Sequence, residues 1–107
     1  MLDNGDILQG QPCAYYYNYI DTISLHLAAE VLNYMKYNAG NMGNHDVETG
    51  RAVFDRWAGD CNFPILGANI IDTVTGKTHF KPYEVLERDG VTIVVLGMIT
   101  PAIPVWL

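Results

Sequence analysis

The sequence predicts an α/β fold with a mixed sheet, and three observations carry that prediction. Short strand-like runs alternate with segments of helical periodicity over the first two thirds of the chain. Polar turns containing glycine, Asn4-Gly5-Asp6 and Gly43-Asn44-His45-Asp46, stand where a strand-like run gives way to a helical segment. The last third is strand-like again: Val91 to Met98 is nearly all β-branched or apolar, and the preceding Arg88-Asp89-Gly90 is a hairpin signal. The order strand, helix, strand, helix, strand, hairpin layers helices on a sheet with both parallel and antiparallel pairs.

The elements follow in chain order. Met1 to Asp3 read as the tail of a strand, and Gln9 to Pro12 as a loop. Cys13 to Ile20 carries four tyrosines and reads equally as a short helix or as an irregular aromatic segment. A helix is expected from Asp21 onward, because Ile20, Ile23, Leu27, Val31 and Met35 recur at spacings of three and four and so share a face. Asp21 or Thr22 suits its N-cap, and Gly40 stands just past its end. Val47, Val53, Phe54 and Trp57 predict a second helix, closed by Gly59. Phe63 to Ile71 resembles a short buried strand, Thr73 to Thr78 a turn with Gly76 at its tip, and Val91 to Met98 a strand covered on both faces.

Length and composition narrow the function. The 107 residues suffice for one domain, and the 50% apolar and 17% charged content is that of a globular chain. Net charge is −6, from six basic and twelve acidic residues, with no Lys/Arg cluster, so the electrostatic footprint of a nucleic-acid polymer binder is missing. A divalent cation could supply positive charge to such a chain locally. Cys13 and Cys61 match no zinc spacing and are read as two unpaired, partly buried thiols. No apolar run is long enough to span a bilayer, and the start lacks signal-peptide form. The first turn arrives after only four residues and the chain stops on Val105-Trp106-Leu107, which together suggest an internal piece of a longer protein.

Four residues bear the chemistry. Asp6 lies at the inferred end of a strand, where ligands bind in α/β sheets; the alternative is a turn aspartate capping the next segment. Asn44 and His45 come at the next strand-to-helix turn, and parallel strands bring such turns together. An Asp carboxylate, an Asn carbonyl and an imidazole suit a divalent ion such as Mn, Fe or Zn; the alternative is a capping Asn beside a solvated His. Glu48, three residues after His45, shares its helical face and can orient it as a general acid. Asp46 is expected to point elsewhere, as an acidic residue favoured by the helix N-terminus. His26 and His79 have no metal-ligand neighbour at a useful spacing and are assigned to the surface or local packing. Neither glycine-bearing turn follows a nucleotide phosphate-cradling pattern.

LDNGDILQGQP followed by NMGNHDVETG, with one long helix between, resembles the calcineurin-like metallophosphoesterases. Within these the chain is most similar to the 5′-nucleotidase and 2′,3′-cyclic-nucleotide 2′-phosphodiesterase branch; FPILGANI, KPYEVLERDGVTIVVLGMIT and PAIPVW extend the resemblance over essentially the whole chain. The resemblance implies a four-layer α/β/β/α sandwich with two divalent metal ions. It implies that Asp6 bridges both metals, that Asn44 binds the second, and that His45 contacts the phosphate and assists the leaving group. The branch places an Asp three residues after that His; here the position is Glu48, longer by one methylene. The family's earlier DxH and later GHxH motifs do not occur, so residues 1–107 are expected to be part of a catalytic domain. An extracytoplasmic location is implied in the same way. Three readings stand: part of a metal-dependent nucleotide phosphoesterase acting at no membrane and on no nucleic-acid polymer; a folded, inactive subdomain that lacks a complete metal site and self-associates; and a doubly wound ligand-binding domain without metal chemistry.

Overall fold

The computed structural model describes residues 1–106; Leu107, read above with Val105 and Trp106 as an unpacked end, lies outside the described residues. Three short parallel strands form the centre: β1 (Leu2–Asp3), β2 (Ala39–Asn41) and β3 (Ile65–Leu66), in the order β1-β2-β3. Leu2 lies opposite Ala39, and Gly40 opposite Ile65. Each strand is followed by a loop that leaves from the same end of the sheet, as parallel pairing requires. The antiparallel pair is a second sheet, the hairpin of β4 (Tyr83–Arg88) and β5 (Val91–Leu96). Its turn has positive φ at both Asp89 (51°) and Gly90 (79°), the geometry that matches strand twist. The hairpin joins the parallel sheet at its open end, where Gly67 N–H donates to Lys81 O and Ala68 N–H to Gly97 O. Both kinds of pairing expected from the sequence therefore occur, divided between two sheets.

Helices α1 (Pro12–Tyr15), α2 (Leu27–Tyr34), α3 (Asn44–Glu48), α4 (Arg51–Asp60) and α5 (Ile103–Trp106) complete the chain, with a π-helical turn at Tyr16–Ile20 continuing α1. The tyrosine-rich segment is thus helical, in two forms. Among the described residues no helix is long and apolar enough to cross a membrane. The core lies between the sheet and helices α2 and α4. It holds Leu8, Ala29, Leu32, Met42, Val53, Trp57, Phe63 and Ile65, with Trp57 and Ala29 fully buried. Burying side chains of this size gives about 1.5–3 kcal/mol each. Asn33 fastens the two helices: its amide donates to Asp60 O at 2.9 Å and its carbonyl accepts from Asn62 N–H at 2.7 Å, which satisfies groups at the end of α4.

Several expectations are corrected. The first long helix begins at Leu27, not Asp21, because Asp21 turns its carboxylate onto the N–H groups of Ile23 and Ser24 and closes a local turn. The N-cap is His26, whose ring accepts from Ala28 N–H; it is fully buried, in keeping with the local-packing alternative read for it. Ile20, Ile23, Val31 and Met35 are exposed, and the buried stripe is Ala29 and Leu32. Ala29 and Leu32 join the same buried core as Val53 and Trp57 of α4. Gly40 belongs to β2, and the turn after α2 is made by Lys36 at φ 58°. The second helix is two helices, since Gly50 at φ 94° leaves helical space; α4 then runs past Gly59 to Asp60. The hairpin is largely exposed rather than covered: Val85, Val91, Ile93, Val94 and Leu96 all face solvent in part.

Both cysteines are unpaired, as read from sequence, but Cys13 is exposed and only Cys61 is partly buried. Burial, with Asp60 and Asp3 nearby, pushes the Cys61 thiol up to about 12. A thiolate is the reactive form. A native titration with a disulfide reagent at pH 8 therefore reads one fast thiol per chain, and denaturant exposes the second; two fast thiols in the native protein would contradict the burial of Cys61.

Candidate active site

The site is built where the loops after β1 and β2 meet. Gly5 at φ 97° turns the chain out of β1, and a Cβ there would lie 2.8 Å from Gly43 N and 2.9 Å from Asn41 O. A Cβ on Gly43 would in turn collide with the carboxylate and main chain of Asp6. Glycine at both positions lets two backbones touch, and this contact places Asp6 beside the start of α3.

Asp6 itself has φ 64°, a left-handed conformation in which aspartate is among the better tolerated residues. Its Oδ1 accepts from His45 N–H at 3.0 Å. Asp6 and the Asn44–His45 turn, far apart in sequence, thus share a hydrogen bond. Gly43 is the N-cap of α3, so Asn44 is the first helical residue and does not cap with its side chain. Among the described residues, neither Asp6 Oδ2 nor the Asn44 side-chain amide has a hydrogen-bond partner. His45 and Glu48 lie on one face of α3, as their spacing predicts: His45 Nδ1 stands 3.2 Å from Glu48 Oε2, with side chains 46% and 27% exposed. Gln9 Nε2 donates to the same Oε2 at 3.2 Å. The His45 hydrogen bond first, and then that from Gln9, hold the Glu48 carboxyl below its ordinary range, so Glu48 is an anion at neutral pH.

Two residues escaped the sequence reading. Gln9 stands in the loop after β1, and nothing in its spacing marks it as a partner of Glu48. Asp46 does not point away from the site, as its place beside His45 suggested. It is fully buried, and its carboxylate accepts from Asp6 N–H and Gly43 N–H at Oδ2 and from Leu8 N–H at Oδ1, each at 2.9 Å. Burial pushes its pKa up, while the three N–H groups act in the opposite direction.

The other histidines lie elsewhere. His26 Nε2 meets Asn18 Oδ1 at 2.7 Å, and Asn18 donates to Leu8 O, so this buried pair braces the loop after β1 from behind. Desolvation, with Arg56 nearby, holds the His26 pKa below its ordinary value. His79 pairs with Asp55 at 2.7 Å on α4.

Oxygen donors such as the Asp6 carboxylate and the Asn44 amide carbonyl fit a divalent ion of the Mn, Zn or Fe type, and both have an oxygen left free by the protein. Among the described residues no group of three or more His, Cys, Asp or Glu side chains is placed to hold a metal. Asp6 and Asn44 are the two candidates in this turn for part of a coordination sphere.

No protein-family model matches the chain. The 2′,3′-cyclic-nucleotide 2′-phosphodiesterase/3′-nucleotidase of Salmonella typhimurium is 32% identical over 117 aligned positions, covering 99% of this chain and 18% of that protein. The crystal structure of the calcineurin-like phosphoesterase YfkN from Bacillus subtilis superposes with a TM-score of 0.78 at 31% identity, over 98% of this chain and 36% of that one. A putative 5′-nucleotidase from Staphylococcus aureus gives a TM-score of 0.79 at 28% identity, over 96% of this chain and 20% of that one. The chain therefore spans less than a fifth of the length of the curated Salmonella relative it matches. Sequence and fold shared over nearly its whole length give the chain part of the calcineurin-like phosphoesterase fold and relate it to nucleotidases and cyclic-nucleotide phosphodiesterases.

Proposed function

We propose that the chain forms part of a metal-dependent phosphoesterase that hydrolyses nucleotide phosphoester bonds, of the 5′-nucleotidase or 2′,3′-cyclic-nucleotide phosphodiesterase type. The observation that carries this is the meeting of Asp6 with the Asn44-His45-Glu48 turn through the 3.0 Å bond from His45 N–H. Two divalent ions, when bound, polarise the phosphoryl oxygens and lower the pKa of the attacking water. Asp6 and Asn44 each give an oxygen to hold them. His45, its Nδ1 hydrogen-bonded to Glu48, presents Nε2 as the proton donor to the leaving oxygen. Glu48 fixes the ring and stabilises its cationic form, and Gln9 fixes Glu48. The ring is half-exposed, which suits a group that must reach a substrate.

The test uses the full-length protein carrying this segment, stripped of metal and assayed against a 5′-nucleotide, a 3′-nucleotide and a 2′,3′-cyclic nucleotide as Mn²⁺ or Zn²⁺ is added. Metal-dependent hydrolysis, read as phosphate released from the mononucleotides and as ring-opened nucleotide formed from the cyclic one, that disappears in Asp6→Asn is the expected result. Turnover unchanged by Asp6→Asn would remove Asp6 from the site.

A second reading rests on the open hairpin faces and on the partial donor set of the described residues. In it, the 107-residue chain taken alone is a folded, inactive unit that self-associates through exposed β-structure. Sedimentation of the isolated chain, with metal titration alongside, separates the two: a monomer that binds two ions tightly and turns over substrate excludes the second.

A further inference from the structure

We infer that Asp46 is a positioning residue of the proposed active site: its buried carboxylate clamps the loop after β1 to the loop after β2, and so sets the distance between Asp6 and Asn44. The inference rests on the phosphoesterase reading for its consequence, though not for its geometry.

Three backbone N–H groups converge on this one side chain. Two come from the loop after β1 (Asp6 and Leu8) and one from the loop after β2 (Gly43), all at 2.9 Å. All three donors are main-chain groups and have no freedom to turn elsewhere; buried N–H groups left unpaired are costly. Both carboxylate oxygens are used, so neither an amide nor a hydroxyl can replace the group in full. An asparagine keeps one oxygen and sets an NH₂ against at least one N–H. The direct contact between the loops at Gly5 and Gly43 allows them to be close, but an allowed approach is not a held one. Asp46 supplies the hold, and the Asp6 N–H that it binds belongs to the residue whose Oδ1 accepts from His45 N–H. One step of hydrogen bonding therefore separates Asp46 from the metal-ligand candidate and two from the main-chain N–H of His45, although Asp46 touches neither metal nor substrate.

The test is made on the full-length protein with two variants and two readouts. Amide hydrogen exchange in the metal-free wild type is expected to show Asp6, Leu8 and Gly43 protected although they lie in loops; fast exchange at all three would overturn the clamp without any variant. In Asp46→Asn, exchange at these amides is expected to rise while that of the core strand β2 stays slow. Mn²⁺ affinity, read by calorimetry, is expected to fall about 10–100-fold, the range found when groups supporting metal ligands are removed. Asp6→Asn is the contrast: metal affinity falls and the three amides stay protected. If folded Asp46→Asn binds Mn²⁺ as tightly as wild type, the positioning role is wrong and Asp46 serves stability alone. If wild type shows no phosphoesterase activity yet the exchange and Mn²⁺ results hold, the functional reading fails and the clamp stands.

Discussion

Replacing His45 by alanine in the full-length protein lowers kcat on a nucleotide by about 10²–10⁴-fold, the usual contribution of a positioned general acid. The loss is expected to depend on the leaving group. A nucleoside alkoxide is a poor leaving group and needs a proton as the bond to phosphorus breaks. A p-nitrophenolate leaves without one, so the same variant loses much less on a p-nitrophenyl ester. Glu48→Gln is expected to fall between wild type and His45→Ala. Glutamine keeps an oxygen for the His45 Nδ1–H but not the charge that stabilises the imidazolium; the 3.2 Å contact is also partly exposed, so solvent screens it. Equal losses on both ester types would show that His45 binds or positions rather than donates a proton. A Glu48→Gln loss as large as that of His45→Ala would show instead that the dyad acts as one unit.

The residues of this candidate site stand out in the sequence because chemistry restricts residue type. Few structural demands place Asp after an Asn-Gly turn and Asn-His after a Gly in the same short chain, and parallel strands with consecutive crossovers bring such loops to one end of a sheet. The fold class is legible at a coarser level: strand-like and helical segments alternate along the chain, and the two sheets with α2 and α4 follow that order.

What was not legible depends on three-dimensional company. Asp21 has the chemistry of an N-cap and spends it on a turn two residues later, so α2 starts at Leu27. The five large apolar residues from Ile20 to Met35 share helical spacing, yet the inward face of α2 is Ala29 and Leu32, which join the core that Val53 and Trp57 of α4 complete. Propensity cannot see a partner on another helix. Asp46 is the clearest case. An acidic residue in the first turn of a helix is favoured by the dipole whether or not anything else binds it. Only the fold shows that two loops point three N–H groups at it. Gln9 is similar: its role depends on Glu48 lying within reach across the gap between loops.

Gly43 gives the most direct test of that loop contact. In Gly43→Ala a methyl group must enter space held by the Asp6 carboxylate and backbone. Asp6 cannot swing aside freely, because its N–H is bound by Asp46 and its Oδ1 by His45 N–H. The backbones must therefore part, carrying Asp6 away from Asn44 and His45. Overpacking of this kind costs about 1–3 kcal/mol of stability. A displacement near 1 Å between groups that act together costs about 10²-fold in turnover. The expected result for the full-length protein is a folded variant with a modestly lowered Tm, a kcat reduced about 10²-fold and weakened Mn²⁺ binding. Gly50→Ala is the control: Gly50 is also at positive φ, but a Cβ there meets nothing within 4 Å, so strain alone should lower its Tm while turnover holds. If Gly43→Ala kept full turnover, the two loops could separate without consequence, and the site would not depend on their contact.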